Sequence, residues 1–116
     1  MYTISSRFTF SASHTLAVPP GHPCGRVHGH NYTVELVLQR ETLAGIGFVV
    51  DYRDLQPFKE YLDARFDHRH LNDVVDFEPT AENLARYFYE WGKQQWPEVS
   101  AVRVSETEKT WAEYTA

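Results

Sequence analysis

Six histidines are scattered through the 116 residues, and three of them fall where they could act together. His28 and His30 open a segment, residues 28–39, in which Tyr32, Val34, Leu36 and Leu38 alternate with Asn31, Thr33, Glu35 and Gln39. Such alternation is a strand, whose side chains two apart point the same way about 6.6 Å apart. Both imidazoles then share the apolar face, with only Gly29 between them. His14 ends a second alternating segment, residues 2–14, in which Tyr2, Ile4, Phe8, Phe10 and Ala12 face one way and Thr3, Arg7, Thr9 and Ser11 the other. If the two strands pair antiparallel, His14 lies beside His28 and His30. Three neutral imidazoles that leave a fourth position open are the donor set of a catalytic zinc site, whereas a structural site closes with a fourth ligand. Iron, copper and nickel also accept imidazole, and zinc is the expectation. One inward histidine is more often a hydrogen-bonded core residue, and the HxH spacing alone is weak. The agreement of three faces and two strand ends is what supports a metal.

Other residues could supply proton chemistry. Cys24, four positions before His28, could be a base or nucleophile activated by a nearby cation, a fourth metal ligand, or a packing residue. Asp67 beside His68 offers a carboxylate to orient an imidazole, although adjacent pairs of this kind are common on surfaces. Glu106 continues the apolar row of Val102 and Val104, so an inward carboxylate needs a partner: an internal Arg or Lys, or the guanidine-like edge of a bound heterocycle. Glu82 sits in the first turn of a predicted helix, favouring its dipole or facing a ligand.

The elements that must position these residues are legible in outline. Pro19-Pro20-Gly21 marks a loop running to about Arg26. Asp51 reads as the N-cap of a helix over 52–66, with Leu55, Phe58, Leu62 and Phe66 on one face, although Pro57 implies a kink or a later start. Thr80 caps a second helix to about Trp96, with Leu84, Tyr87, Phe88, Trp91 and Gln95 as its stripe, and Pro97 stops it. Val99–Thr107 and Lys109–Tyr114 read as a closing hairpin around Glu108. The order β-β-α-α-β-β predicts an α+β fold: a four-stranded antiparallel sheet with both helices on one face. Residues 1–116 are expected to form one domain, since the length suits one core and no repeat or linker breaks it. The net charge of −5 argues against nucleic acid or an anionic membrane as partner. Met1 leads directly into Tyr2-Thr3-Ile4, with no basic then apolar leader. The single cysteine excludes an intrachain disulfide, and a cytoplasmic setting is expected.

Several stretches together resemble the 6-pyruvoyltetrahydropterin synthase / 6-carboxytetrahydropterin synthase family. They are Phe10-Ser-Ala-Ser-His14, Cys24-Gly-Arg-Val-His28-Gly-His30-Asn-Tyr32, Val50-Asp51-Tyr-Arg-Asp-Leu55, Asp67-His68-Arg-His-Leu71-Asn72, Pro79-Thr80-Ala-Glu82-Asn83-Leu84 and Glu106-Thr107. The resemblance implies the tunnelling fold (T-fold), assembled edge to edge into a barrel, typically a homohexamer with active sites at subunit interfaces. It implies zinc on His14, His28 and His30, and Cys24 as general base, completed by Asp67 and His68 of the same or a neighbouring subunit. Glu106 would anchor a pterin ring, helped by Thr80 and Glu82. The substrate implied is 7,8-dihydroneopterin triphosphate. Arg26, His22, Arg69 and Lys109 are the candidates for its phosphates, since Pro23 stands where some relatives carry lysine. The three-residue spacer between Cys24 and His28 resembles the carboxy-forming enzymes of the queuosine and 7-deazapurine route, which also release acetaldehyde. The pyruvoyl-forming reaction and a pterin-binding module with a structural metal are the alternatives.

Overall fold

The computed structural model describes residues 1–116. Strand β1 (Tyr2–His14) and strand β2 (His28–Arg40) pair antiparallel along their whole length, from Tyr2 opposite Arg40 to His14 opposite His28. The alternation read from sequence decides which side is buried. Phe10, Ala12 and His14 of β1 and Tyr32, Val34, Leu36 and Leu38 of β2 all lie in the interior. Tyr2, at the far end of the series, remains exposed.

Strand β4 (Val99–Thr107) pairs antiparallel with the other edge of β2, and β5 (Thr110–Tyr114) closes the hairpin with β4. A fifth strand was not expected from sequence. Arg69–His70, β3, runs parallel to β1 beside Ala12 and Ser13, so the order across the sheet is β3-β1-β2-β4-β5. Two residues are too few to carry a readable alternation, which is why sequence predicts four strands.

The helices correct two further expectations. Asp51 does cap, but it caps a single 3-10 turn, Tyr52–Leu55, where its carboxylate accepts from the Arg53 N–H at 3.0 Å. Helix α1 follows as Gln56–Arg65, placing Pro57 in the first turn, where its missing N–H costs nothing. A four-residue helix, α2 (Leu71–Val74), follows β3. Helix α3 (Ala81–Gln95) is capped as predicted, the Thr80 hydroxyl accepting from the Asn83 N–H at 3.1 Å. Its buried face is Leu84, Ala85, Phe88, Tyr89 and Gly92 rather than the stripe ending at Gln95, which is exposed. Tyr87 and Trp91 turn instead toward α1. The Tyr61 ring stacks on Trp91 at 4.2 Å, and its hydroxyl meets that of Tyr87 at 2.7 Å. The core thus fills the space between the helices and one face of the sheet.

The other face carries a charged cluster. Glu35, 6% exposed, receives the Arg7 guanidinium at 3.0 Å and that of Arg103 at 3.0 Å. Both guanidiniums lie over the Trp111 ring, at 5.3 and 4.9 Å from its centroid. Burial alone would raise the Glu35 carboxyl, but the hydrogen bonds and charges of Arg103 and Arg7 outweigh it and hold the group below the usual carboxylate range.

Candidate active site

The register of β1 on β2 sets the centre: His14 faces His28, and Ala12 faces His30, so three imidazoles meet at one end of the ladder. Their ligand nitrogens all lie within 4.8 Å of one another. The rings do not stack. His30 stands at 89° to His14 and at 90° to His28, so the three edges converge.

The surroundings fix the tautomers. His14 Nδ1 lies 2.7 Å from the Pro79 carbonyl, and His28 Nδ1 lies 2.8 Å from the Arg26 carbonyl. A carbonyl only accepts, so both Nδ1 atoms carry the proton and both Nε2 atoms present a lone pair. Those two lone pairs face each other at 2.9 Å. Neutral imidazoles so placed repel unless a cation lies between them. His30 adds a buried Nε2 without a hydrogen-bond partner. Burial holds its pKa down, the neighbouring His14 and His28 add to this, and Glu106 opposes it. A neutral His30 forms no ion pair with the Glu106 carboxylate 3.5 Å away, which leaves its nitrogen available. Three imidazole donors, two of them oriented by carbonyls, could hold a divalent metal.

Two groups around the centre escape a reading of sequence. Pro79 contributes only a carbonyl, which has no signature in sequence. Tyr32 places its hydroxyl 3.1 Å from His14 Nδ1, and its position two residues beyond His30 on the same face was the available signal. Burial pushes the Tyr32 phenol far above its ordinary range, with Glu106 adding to it, so it stays protonated.

Asp67 and His68 do touch, Oδ2 to Nδ1 at 2.9 Å. The turn before β3 is stitched to β1 at Ser11: the Ser11 N–H donates to Asp67 Oδ1 at 2.8 Å, and the His68 N–H donates to the Ser11 carbonyl at 2.6 Å. His68 adopts φ +58 there and leaves its ring 82% exposed. The Ser11 N–H, then His68, holds the Asp67 carboxyl below its ordinary pKa.

Cavities link these groups. His68 and His30 line one on the β3 side, and His30 and Glu106 line a second. A third lies by the start of α3 and includes Glu82 and Glu106. Cys24 lines none of the three. It sits in a 3-10 turn, Pro23–Gly25, where its carbonyl accepts from the Leu16 N–H at 2.9 Å and its own N–H donates to His22 Nδ1 at 3.1 Å. The Thr80 hydroxyl is engaged as the α3 cap. Arg26 reaches the centre through its carbonyl, and its side chain is exposed.

An antiparallel ladder ending in converging imidazoles, with an acid–imidazole pair on one flank and a carboxylate on the other, defines an α+β protein whose three histidines could hold a metal ion. The chain belongs to the 6-pyruvoyl tetrahydropterin synthase family, whose sequence profile matches residues 3–116. A protein of Archaeoglobus fulgidus, named provisionally as a 6-carboxy-5,6,7,8-tetrahydropterin synthase, is 38% identical over 106 residues, covering 90% of this chain and 88% of its own. The 6-carboxy-5,6,7,8-tetrahydropterin synthase of Bacillus subtilis is 31% identical over 96 residues, covering 77% of this chain and 64% of its own. The structure of Caenorhabditis elegans 6-pyruvoyl tetrahydropterin synthase superposes with a TM-score of 0.87 at 27% identity, covering 99% of this chain and 95% of that one. The fold is the tunnelling fold.

Proposed function

We propose that this chain is a zinc-dependent 6-carboxy-5,6,7,8-tetrahydropterin synthase. It converts 7,8-dihydroneopterin triphosphate to 6-carboxytetrahydropterin with release of acetaldehyde and triphosphate, a step toward queuosine and other 7-deazapurines. The observation that carries the reading is the set of imidazole lone pairs converging beside the Glu106 carboxylate. Zinc held by His14, His28 and His30 would supply Lewis acidity to the side-chain oxygens of the substrate and acidify the adjacent C–H and O–H groups.

The protein groups divide the remaining work. Glu106 would accept from the N–H edge of a pterin, and Glu82 lines the same cavity. His68, oriented through Nδ1 by Asp67, presents Nε2 to take up or return a proton. Cys24 is the second base, and its absence from the cavity that His68 lines supports a site completed across a subunit interface, in a homohexamer. The short spacer Gly25-Arg26-Val27 and the identity to carboxy-forming relatives favour the carboxy product over the pyruvoyl one.

Purified protein should retain about one zinc per chain and release acetaldehyde from dihydroneopterin triphosphate. A pyruvoyl product without acetaldehyde would replace the carboxy reading, and tight pterin binding without turnover would leave only a binding module. Cys24→Ala should keep its zinc and lose turnover. Loss of the zinc instead would make the thiol a ligand.

A further inference from the structure

Beyond His14 the chain has no strand to pair with, and two side chains take the place of one. β2 begins at His28, opposite His14, and the backbone of β3 reaches only Ala12 and Ser13. At Leu71 the chain turns from β3 into α2. The Asn72 side chain then makes the next pair of bonds: Oδ1 accepts from the Thr15 N–H at 2.8 Å, and Nδ2 donates to the Thr15 carbonyl at 3.0 Å. A carboxamide carries the same donor and acceptor as a peptide group, so it can meet both backbone groups of one residue. Two residues on, Glu78 Oε1 accepts from the Ala17 N–H at 2.5 Å. Glu78 is itself held at the start of α3, where its carbonyl accepts from the Thr80 N–H at 2.8 Å and from Asn83 Nδ2 at 2.9 Å.

The residue between these two tethers serves a different partner. Leu16 donates its N–H to the Cys24 carbonyl at 2.9 Å. Gly25 packs closely on the same stretch, since a Cβ there would lie 3.4 Å from Val18 Cγ2. On its other side the turn Pro23–Gly25 is followed by Arg26, whose carbonyl accepts from His28 Nδ1 at 2.8 Å. The turn that carries the thiol is therefore held from both sides. One side depends on a histidine of the metal centre, and the other on residues 15–17 with their bonds to Asn72 and Glu78. We infer that Asn72 and Glu78 are positioning residues for Cys24, acting through Thr15, Leu16 and Ala17; the inference rests on the reading of Cys24 as a base. A misplacement of about 1 Å can cost about a hundredfold in rate, so a tether of this kind sets how well a base reaches its proton.

Cys24 is the only cysteine, so its alkylation by iodoacetamide reads the position of the turn directly. In the metal-loaded protein, Asn72→Ala and Glu78→Ala should each react at least fivefold faster than wild type, with metal content unchanged. On dihydroneopterin triphosphate, kcat should fall at least tenfold in Asn72→Ala while KM stays within twofold. Conservative variants separate the bonds from the bulk of the side chains. Glu78→Gln keeps an acceptor for the Ala17 N–H and should match wild type. Asn72→Asp keeps the acceptor but sets an oxygen against the Thr15 carbonyl, and should behave as Asn72→Ala does. Asp73→Ala, at an exposed neighbour on the same short helix, should change nothing.

A wild-type alkylation rate in Asn72→Ala overturns the assignment, as does faster alkylation with wild-type kcat where Cys24→Ala is inactive. Loss of metal from Asn72→Ala overturns it too, by moving the action of Asn72 to His14. Faster alkylation of the variants, in a protein that makes no pterin product or whose Cys24→Ala turns over normally, keeps the positioning of the turn and sinks the reading of Cys24 as a base. Glu78 is exposed, so if Asn72→Ala is misfolded by circular dichroism, Glu78→Ala against Glu78→Gln decides: equal alkylation rates in the two overturn the tether.

Discussion

His14, a proposed metal ligand, is also a core residue. Its ring is wholly buried, with Nδ1 between the Pro79 carbonyl and the Tyr32 hydroxyl. His14→Ala should therefore lose metal and also destabilise the fold by about 2–4 kcal/mol, because a cavity and two unpaired polar groups remain. Metal analysis after dialysis and urea unfolding of the metal-free proteins would separate the two effects; unchanged metal-free stability would contradict the packing role. Tyr32→Phe is the subtler probe. Losing the hydroxyl alone should weaken metal binding roughly tenfold by loosening His14, at a stability cost of about 1 kcal/mol. The three histidines were legible because strand alternation places side chains on faces. What orients them was not, since two of the partners are backbone carbonyls, to which any residue type could contribute. Cys24 is the reverse case: conspicuous in sequence, yet lining none of the cavities that hold the other groups.

At the scale of elements, the sheet depends on charge as well as on apolar packing. Glu35 ties β2 to β1 through Arg7 and to β4 through Arg103, on the side away from the helices. Its pKa is depressed in the folded chain, so the unfolded chain binds the proton more readily. Its contribution is therefore fully present above the ordinary carboxylate range, near pH 4–5, and is lost as pH falls through the lowered value. Urea midpoints should drop between pH 6 and pH 3 in wild type and drop less in Glu35→Gln, which at pH 7 should be less stable by about 1–2 kcal/mol. Equal acid sensitivity in both proteins would remove Glu35 from the account. Glu35 itself looked like an ordinary polar-face residue, because alternation says which way a side chain points and not what will cover it. The later start that Pro57 implied is what α1 shows, whereas the paired apolar faces of α3 were missed for a related reason. A cap and a period locate a helix, but a preceding 3-10 turn and a second packing partner are decided in three dimensions.

At the scale of the molecule, the proposed catalytic groups divide between the loop before β2 and the turn before β3, and none of the three cavities is lined by both Cys24 and His68. If Cys24 of one subunit serves Asp67–His68 of another, two inactive proteins should rescue each other. Cys24→Ala and His68→Ala, dissociated together and reassembled, should regain a measurable part of wild-type turnover, with native mass spectrometry reporting six-protomer species of mixed composition. Mixed oligomers without activity would place the groups in a single protomer or remove one of them from the reaction. The edges that such an assembly would use are unequal. β3 covers only Ala12 and Ser13 of β1, while β5 forms the whole of the opposite margin.

The last rung of the β1–β2 ladder has a consequence of a different kind. His14 and His28 are that rung, and everything between them is the loop 15–27. An ion shared by the pair would act as a clasp at the neck of that loop, closing it as a covalent crosslink would. Arg26 lies exposed inside the clasp and offers trypsin a peptide bond, so the metal-loaded protein should resist cutting there and the chelated protein should not. Cys24 rides on the same loop. Loading the centre would then decide not only whether the chemistry has its ion, but whether its thiol is held in place to be used.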